Sequence, residues 1–333
     1  MAGINIQLVA AELQRLVVQN KLATRADFAL ATSPAVDAHC RKVTKIKGTY
    51  QVLQSIMSHV VQGFNAEWEA LGELSVVDKE LKNYKQKVNF EFVPADVLST
   101  ALADWYEEGV TPTNQMIAKF IAKWILDKVG DDMELLSMIG EYDAANASGQ
   151  FGKSMNGWNK ILELALANVA HPVFKIPLDA FTDSNIYDQV QLFEKGFPKI
   201  LKNKIKKIFM SENNVERFII NYQEKFNQSP NFKDSDKTKS PLGKREIVGL
   251  SNLEDDKVFA TVDGNMLNLI DVIDNPTSFT DVQVQDYKVK MFLEFSKGYD
   301  FLVNEAVVVA DFVGETRGLG NAGLMAKYYP HEL

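Results

Sequence analysis

The segment YKVKMFLEF constrains the chain most. Tyr287, Val289, Met291, Leu293 and Phe295 alternate strictly, and a period of two puts all five on one face of an extended strand. Its surroundings have the same texture. EIVGL, KVFATV, NMLNLI and EAVVVADF are further strand-like runs, and Asp263-Gly264 between two of them predicts a hairpin turn. Strands that succeed one another without helical crossovers are expected to pair antiparallel, rather than as βαβ units. With periodic helices earlier in the chain, the fold class is α+β.

Near the amino terminus Val9, Leu13, Leu16 and Val17 share a helical face, and Leu53, Ile56, Met57, Val60 and Phe64 repeat the pattern, predicting two helices. From Ala66 the period shortens. AEWEALGELSVV is strand-like, and KVNFEFV puts Val88, Phe90 and Phe92 on one side and Lys87, Asn89 and Glu91 on the other. These two segments are expected to pair as one ribbon. Its middle, VVDKELKNYKQK, is too polar for a core, so the ribbon is expected to project and to need cover for its apolar face. Pro94 opens a helix through Leu98, Leu102 and Trp105, and Thr111-Pro112 starts a longer one striped by Ile117, Phe120, Ile121, Trp124, Ile125 and Val129. Gly130 is expected to end it in a left-handed conformation, before an acidic helix with Met133, Leu136 and Ile139.

Farther on, WNKILELALANV reads as a helix. In KKIFMSENNVERFIINYQEKF, Ile208 and Phe209 belong to a short strand and Ser211 or Asn213 caps a helix that buries Val215, Phe218, Ile219, Tyr222 and Phe226. SPNFKDSDKTKSPLGKRE reads as a surface loop, and VGETRGLGNAGLMAKYYPHEL as a tail or edge segment.

Function classes narrow by exclusion. A net charge of -8, from 44 acidic and 36 basic side chains, argues against a surface built to wrap phosphates. The lysines of KILKNKIKK interleave with Ile200, Leu201, Ile205 and Ile208, as the solvated rim of a half-buried segment does. Cys40 is the single cysteine, which excludes an intramolecular disulfide and a CxxC metal site. His39, His59, His171 and His331 lack metal-ligand spacing. No apolar run is long enough to span a bilayer, so the chain reads as soluble. ASGQFGKS matches a relaxed phosphate-binding loop through Gly152, Lys153 and Ser154, and Asp311 mimics the acidic metal ligand that accompanies one. Yet Ala147 replaces the first glycine, and the acidic, helical IGEYDAANA stands where such a loop needs a buried strand. The segment reads as a connector. No catalytic residue, cofactor or metal is expected; a P-loop NTPase is the enzyme alternative.

Taken in order from Ala66 to Phe312, these segments resemble the major capsid protein of tailed bacteriophages, with its Hong Kong 97-like fold. AEWEALGELSVVDKELKNYKQKVNFEFVP is similar to that family's extended loop, and TPTNQMIAKFIAKWILDKVG to its spine helix. KKIFMSENNVERFIINYQEKF resembles the strand and helix of the axial domain, PLGKREIVGL the segment after the axial loop, and KVFATVDGNMLNLI the late hairpin. YKVKMFLEFSKGYDFLVNEAVVVADF is similar to the closing strands of the peripheral domain. The resemblance implies an amino-terminal helical arm over 1–64, an extended β-hairpin loop over 65–93, and the spine helix with the first part of the peripheral domain over 94–147. An axial domain is implied over 148–275, with an exposed loop at 228–246, and closing peripheral strands with a tail over 276–333.

By the same resemblance the protein is a structural component of a virion, present in the host cytoplasm during assembly. Copies are then expected to form hexamers and pentamers that close into an icosahedral shell around double-stranded DNA of a phage or prophage. A portal is a further implied partner, no membrane is involved, and scaffolding is expected from a separate protein or from the amino-terminal helices. In the extended loop Trp68, Val88, Phe90 and Phe92 are the expected subunit interface and Gly72 a hinge near the ribbon's base. Lys79, Lys82 and Lys85 are expected at its tip. Some relatives crosslink through a loop lysine; here these lysines read as solubilising. An encapsulin-like nanocompartment shares the fold and is the nearer alternative.

Overall fold

A computed structural model describes residues 6–19, 33–57, 61–64, 67–69, 71–72, 74–93, 113–227, 238–271, 278–286 and 288–332. The alternating segment forms β11 (Lys288–Phe301), a 14-residue strand around which one sheet is organised. Its first half pairs antiparallel with both β10 (Ser278–Gln285) and β4 (Tyr84–Phe92). Its far end pairs with β9 (Met266–Ile270), which in turn pairs parallel with β1 (Arg41–Val43). Val289, Met291, Leu293 and Phe295 are buried, as a period of two requires when one face meets a core.

That core is roofed by the long helix α2 (Asn114–Ile139), whose N-cap Thr113 accepts a hydrogen bond from the Met116 amide (3.4 Å). Ile117, Ile121, Ile125, Val129, Met133 and Leu136 continue one buried stripe along it. The expected break at Gly130 does not occur. A helical glycine costs roughly 0.5–1 kcal/mol relative to alanine, and burial of Met133 and Leu136 on the same core outweighs it. The shorter α1 (Ile6–Gln19) adds Val9, Ala10 and Leu13 to this core. The helix expected through Leu98, Leu102 and Trp105, and Thr111-Pro112 with it, lies outside the described residues.

A second sheet has the order β5 (Phe174–Pro177), β12 (Val307–Asp311), β8 (Phe259–Val262), β6 (Ile205–Ser211), β7 (Glu246–Leu250). Both of its faces are covered, which explains the unbroken apolar run of β12. Val307 and Val309, with Phe209 and Phe259, face the first core, where Trp158 of α3 (Trp158–Ala167) meets them. Val308 and Ala310, with Ile208 and Met210, face a second core shared with α4 (Ile186–Lys195) and α5 (Glu212–Phe226). Ser211 caps α5 by accepting from the Asn214 amide at 3.1 Å.

Asp263-Gly264 does turn the chain, with the Asn265 amide donating to the Val262 carbonyl at 3.2 Å. It is not a hairpin. β8 and β9 belong to different sheets, and Asn265 instead exchanges hydrogen bonds with the Val303 backbone (2.9 and 2.8 Å). The end of the expected surface loop is also corrected: Arg245 is buried against Glu194, and Ser240 donates to the same carboxylate at 3.0 Å. The glycine-rich segment behaves as an edge. Gly318 bridges to Lys175, and α6 (Ala322–Tyr328) with Leu319 and Tyr329 packs onto the second core.

The largest departure concerns the ribbon. β2 (Thr49–Met57) and β3 (Leu74–Lys82) pair antiparallel as a separate two-stranded sheet, Thr49 opposite Lys82 and Met57 opposite Leu74. The helix expected from Leu53 onward is therefore a strand as far as Met57, and the ribbon expected within 65–93 is not formed. β3 finds its partner upstream, and β4 joins β11. Asn83 makes the change of sheet, its amide donating to the Gly48 carbonyl and its side chain to the Ile46 carbonyl, both at 2.7 Å.

Candidate subunit-contact surface

The root of the ribbon is clamped by buried polar groups. Lys79 turns back into the body, where its Nζ donates to Asp300 Oδ1 (2.7 Å), Asn304 Oδ1 (2.7 Å) and the Phe301 carbonyl. Burial raises the Asp300 carboxyl above the ordinary carboxylate range even beside this ammonium. One residue earlier, the Asp78 carbonyl faces His171 Nε2 at 2.9 Å, while His171 Nδ1 faces Glu305 Oε1 at 3.2 Å. Leu81 is buried with Ile46, Leu267 and Leu269. Gly298 makes the crossing possible: a Cβ there would come closer than 3.0 Å to the Lys82 carbonyl oxygen and within 3.1 Å of the Asn83 Cα.

Beside this clamp, Lys297 Nζ pairs with Asp37 Oδ2 (2.5 Å) and the Tyr299 hydroxyl donates to Asp37 Oδ1 (2.7 Å). Burial pushes the Lys297 ammonium down and the Tyr299 phenol well up. Burial, followed by the Asp37 charge, also raises the Cys40 thiol, which donates to the Val36 carbonyl at 3.3 Å; an inert packed thiol results.

Beyond the root the character reverses. Cross-strand partners share a face, so Leu53, Val76 and Leu74 fall on one side of the ribbon, exposed by 71%, 58% and 58%. At the far end Val61, Phe64 and Trp68 are 90%, 100% and 89% exposed. Gln62 Nε2 donates to the Glu69 carbonyl across this end at 2.8 Å. Gly72 lies there too, with φ +99°, a conformation that favours glycine. An apolar surface of this kind on one projecting element is the usual mark of a protein contact.

Of the expected contact residues, Trp68 stands exposed on the ribbon. Val88, Phe90 and Phe92 do not. Phe92 is buried in the chain's own first core, and Phe90 stacks on it (5.9 Å between ring centroids) and meets the Trp124 ring edge-on (5.8 Å). Val88 packs against the same core. Their cover is intramolecular because β11 offers them a complementary apolar face. Gly72 sits at the outer end of the ribbon rather than its base. Lys79, Lys82 and Lys85 lie at the root rather than the tip; Lys82 is 3.8 Å from Glu80, and Lys85 pairs with Glu294 of β11 at 2.7 Å.

Leu53, Val61, Phe64, Leu71, Leu74 and Val76 were missed as surface residues. The available signal was the β-branched, alternating TYQV immediately after Gly48, which competes with the helical spacing read from Leu53 onward.

The phosphate-loop look-alike is a closed connector between α2 and α3, pinned where the Gly157 amide donates to the Gly140 carbonyl at 2.8 Å. Lys153 Nζ is committed to Glu141 at 2.9 Å, and hydrogen bonds from Lys153 and Lys160 bring the Glu141 carboxyl down to about 2. Among the described residues no group of three or more His, Cys, Asp or Glu is placed to hold a metal, and no helix is long and apolar enough to cross a membrane.

No protein-family profile and no curated protein sequence matches the chain. Solved structures do. A chain of the satellite phage P4 procapsid, in a structure that includes the size determination (Sid) protein, matches over 89% of this chain and 99% of its own. The TM-score is 0.52 at 9% identity. The capsid of an empty GTA particle, computed with C5 symmetry, matches over 85% of this chain and 90% of its own, with TM-score 0.52 at 14% identity.

The fold is that of a phage major capsid protein. At such identities a capsid fold is shared through the layout of strands and helices, since side-chain chemistry is free to diverge on a common scaffold.

Proposed function

We propose that this chain is the shell subunit of a tailed phage or prophage head, whose copies form hexamers and pentamers that close into an icosahedral container for double-stranded DNA. In this reading α2 is the spine helix and β2–β3 the extended loop. The sheet around β11 is the peripheral domain and the second sheet with α4 and α5 is the axial domain, so β9 and β12 exchange the domains that the boundaries implied by the resemblance gave them. One observation carries the proposal: a ribbon rooted in buried polar contacts and apolar along its outer length.

The magnitudes favour association. Fully burying one such side chain contributes about 1.5–3 kcal/mol, whereas association costs an estimated 4–15 kcal/mol in lost freedom before any gain appears. One side chain cannot offset that; Leu53, Val61, Phe64, Trp68, Leu74 and Val76 together can. The contact is heterologous, ribbon on one copy and receiving surface on the next, which generates closed rings when the rotation permits. A net charge of -8 suits a wall that must not adhere to its packaged nucleic acid. Such a role asks for no catalytic group; scaffolding protein and portal are the further partners it needs.

The test is assembly. The purified protein, with and without co-expressed scaffolding, is expected to give particles by negative-stain microscopy and light scattering, and removal of residues 58–73 is expected to abolish them while leaving the far-ultraviolet dichroism intact. A strictly monomeric chain at high concentration under both conditions overturns the reading. Particles loaded with an enzyme in place of nucleic acid would assign the encapsulin-like role instead.

A further inference from the structure

His171 and Glu305 are buried side by side where β3 leaves the body. The histidine backbone is fixed on both sides: its amide donates to Asn168 Oδ1 at 2.9 Å, and its carbonyl accepts from Asn304 Nδ2 at 3.1 Å. Its ring bridges two elements. Nε2 lies 2.9 Å from the carbonyl of Asp78 in β3, and Nδ1 lies 3.2 Å from Oε1 of Glu305 in the turn Asn304–Ala306. Both neighbours are acceptors, and that fixes the proton count. A carbonyl oxygen brings no proton, so the contact with Asp78 needs one on Nε2. The contact with Glu305 needs a second, carried by Nδ1 or by the carboxyl. Without it, the ring and the carboxylate would face each other lone pair to lone pair with the buried charge unmatched. Among the described residues Glu305 has no other ion-pair partner.

We propose that this shared proton is a latch on the ribbon root: while it is held Asp78 stays fastened to the body, and when rising pH removes it the root loosens. A ring left with one proton cannot serve both acceptors. Kept on Nε2, the proton preserves the Asp78 bond and sets Nδ1 against the Glu305 charge; moved to Nδ1, it satisfies Glu305 and gives up Asp78. Either arrangement weakens the attachment of β3. The sign follows from counting protons in the closed root and in an opened one, where free histidine and glutamate side chains titrate near 6.5 and 4.3. Between those values both forms hold the same number, and the latch contributes in full. Above about 6.5 the opened form releases a proton that the closed form keeps, so closure weakens as pH rises; below about 4.3 the opened form takes one up, and closure weakens again.

The other titratable groups at the root are few. The Asp78 carboxylate is exposed. Lys79 Nζ meets Asn304 Oδ1 and Asp300 Oδ1 at 2.7 Å each, and burial raises the Asp300 carboxyl. From the carboxyl-terminal segment the Tyr329 hydroxyl donates to the Glu305 carbonyl. Burial, then the Glu305 charge, raises the Tyr328 and Tyr329 phenols, which keep their protons through this range. The latch needs only the single chain and stands or falls apart from the shell reading.

The experiment follows amide hydrogen exchange of the full-length protein by mass spectrometry from about pH 5.5 to about 9, on either side of the free-histidine value. Rates are divided by the intrinsic rate at each pH, with β6 peptides as the internal reference. Protection of the peptide spanning Asp78 to Asn83 is expected to fall about tenfold more than that of β6, as release of one proton allows. His171→Gln puts an amide that does not titrate against the Asp78 carbonyl, and Glu305→Gln donates to Nδ1 while Nε2 keeps its proton. Each is expected to flatten the pH course; Asp300 and Lys79 are unchanged in both, so the difference from wild type isolates the shared proton. A root that tracks β6 at every pH overturns the proposal, as does a wild-type pH course retained in Glu305→Gln. Histidine-selective nitrogen-15 spectra of the wild type need no variant: a His171 ring that loses a proton at the value of a free histidine overturns it as well.

Discussion

β3 and β4 are both nine-residue strands separated only by Asn83, yet one ends outside the body and the other inside it. β4 lies on β11, where the alternation of Val88, Phe90 and Phe92 meets the alternation of Val289, Met291 and Leu293 beneath α2. Among the described residues β3 has only β2 for a strand partner, and past Asp78 no described residue buries Val76 or Leu74. The pattern of a strand states that it has an apolar face; the partner it finds decides whether that face becomes core or contact surface.

The sharpest way to break this contrast is a pair of truncations. Phe92→Ala should cost about 3–5 kcal/mol by leaving a cavity in the first core. Trp68→Ala should stay within about 0.5 kcal/mol in the isolated subunit and register only in assembly. Urea denaturation monitored by dichroism measures both, and equal costs would mean that the two strands are not differently buried. Next in size, Lys79→Met strands Asp300 at the ribbon root. Asp300 keeps 22% of its side-chain surface, so the loss should fall at the low end, about 3 kcal/mol, of what breaking a buried pair costs. Adding Asp300→Asn should recover part of it in a double-mutant cycle.

Gly298→Ala forces the crossing apart and should cost about 1–3 kcal/mol. Local hydrogen exchange should report the opening first at Lys82 and Asn83. The smallest effect is alkaline. Burial lifts the Tyr84 phenol to about 12, and Tyr299, Tyr328 and Tyr329 are raised as well. The folded state then holds protons that the unfolded chain releases above its ordinary value near 10, so stability should fall as pH rises from there through about 12. Lys297, held down by burial, acts in the opposite sense as a single group. Tyr84→Phe should flatten the slope in thermal melts across that range, and an unchanged slope would mean that burial does not raise the Tyr84 phenol.

Much of the layout was legible in residues alone. The alternation of β11, the Ser211 cap and the stripe through Ile117, Ile121, Ile125 and Val129 each follow from local periodicity or capping chemistry and are found, whereas Phe120 and Trp124, expected in that stripe, are 39% and 49% exposed. Illegible were the features set by distant partners. Gly130 continues the helix because Met133 and Leu136 have a core to reach. Asp263-Gly264 turns the chain but joins different sheets because β9 belongs to β11. Lys79 is charged and flanked by charge, and only the positions of Asp300, Phe301 and Asn304, more than two hundred residues away, bring it inside. The contact surface was half legible: an exposed apolar arm was expected, but its strands were misassigned, so Trp68 was named and Phe64, Leu74 and Val76 were not.

What the amino-acid order determined by itself was the menu: which segments extend, which coil, and which side of each is apolar, because those depend on spacings of two and 3.6 residues and on the caps at their ends. What only the tertiary structure decided was the pairing, β3 with β2 and β4 with β11, and hence which apolar face was left outside. Pairing is a competition between distant segments for the same hydrogen-bonding edges and buried area, and no local pattern records its outcome.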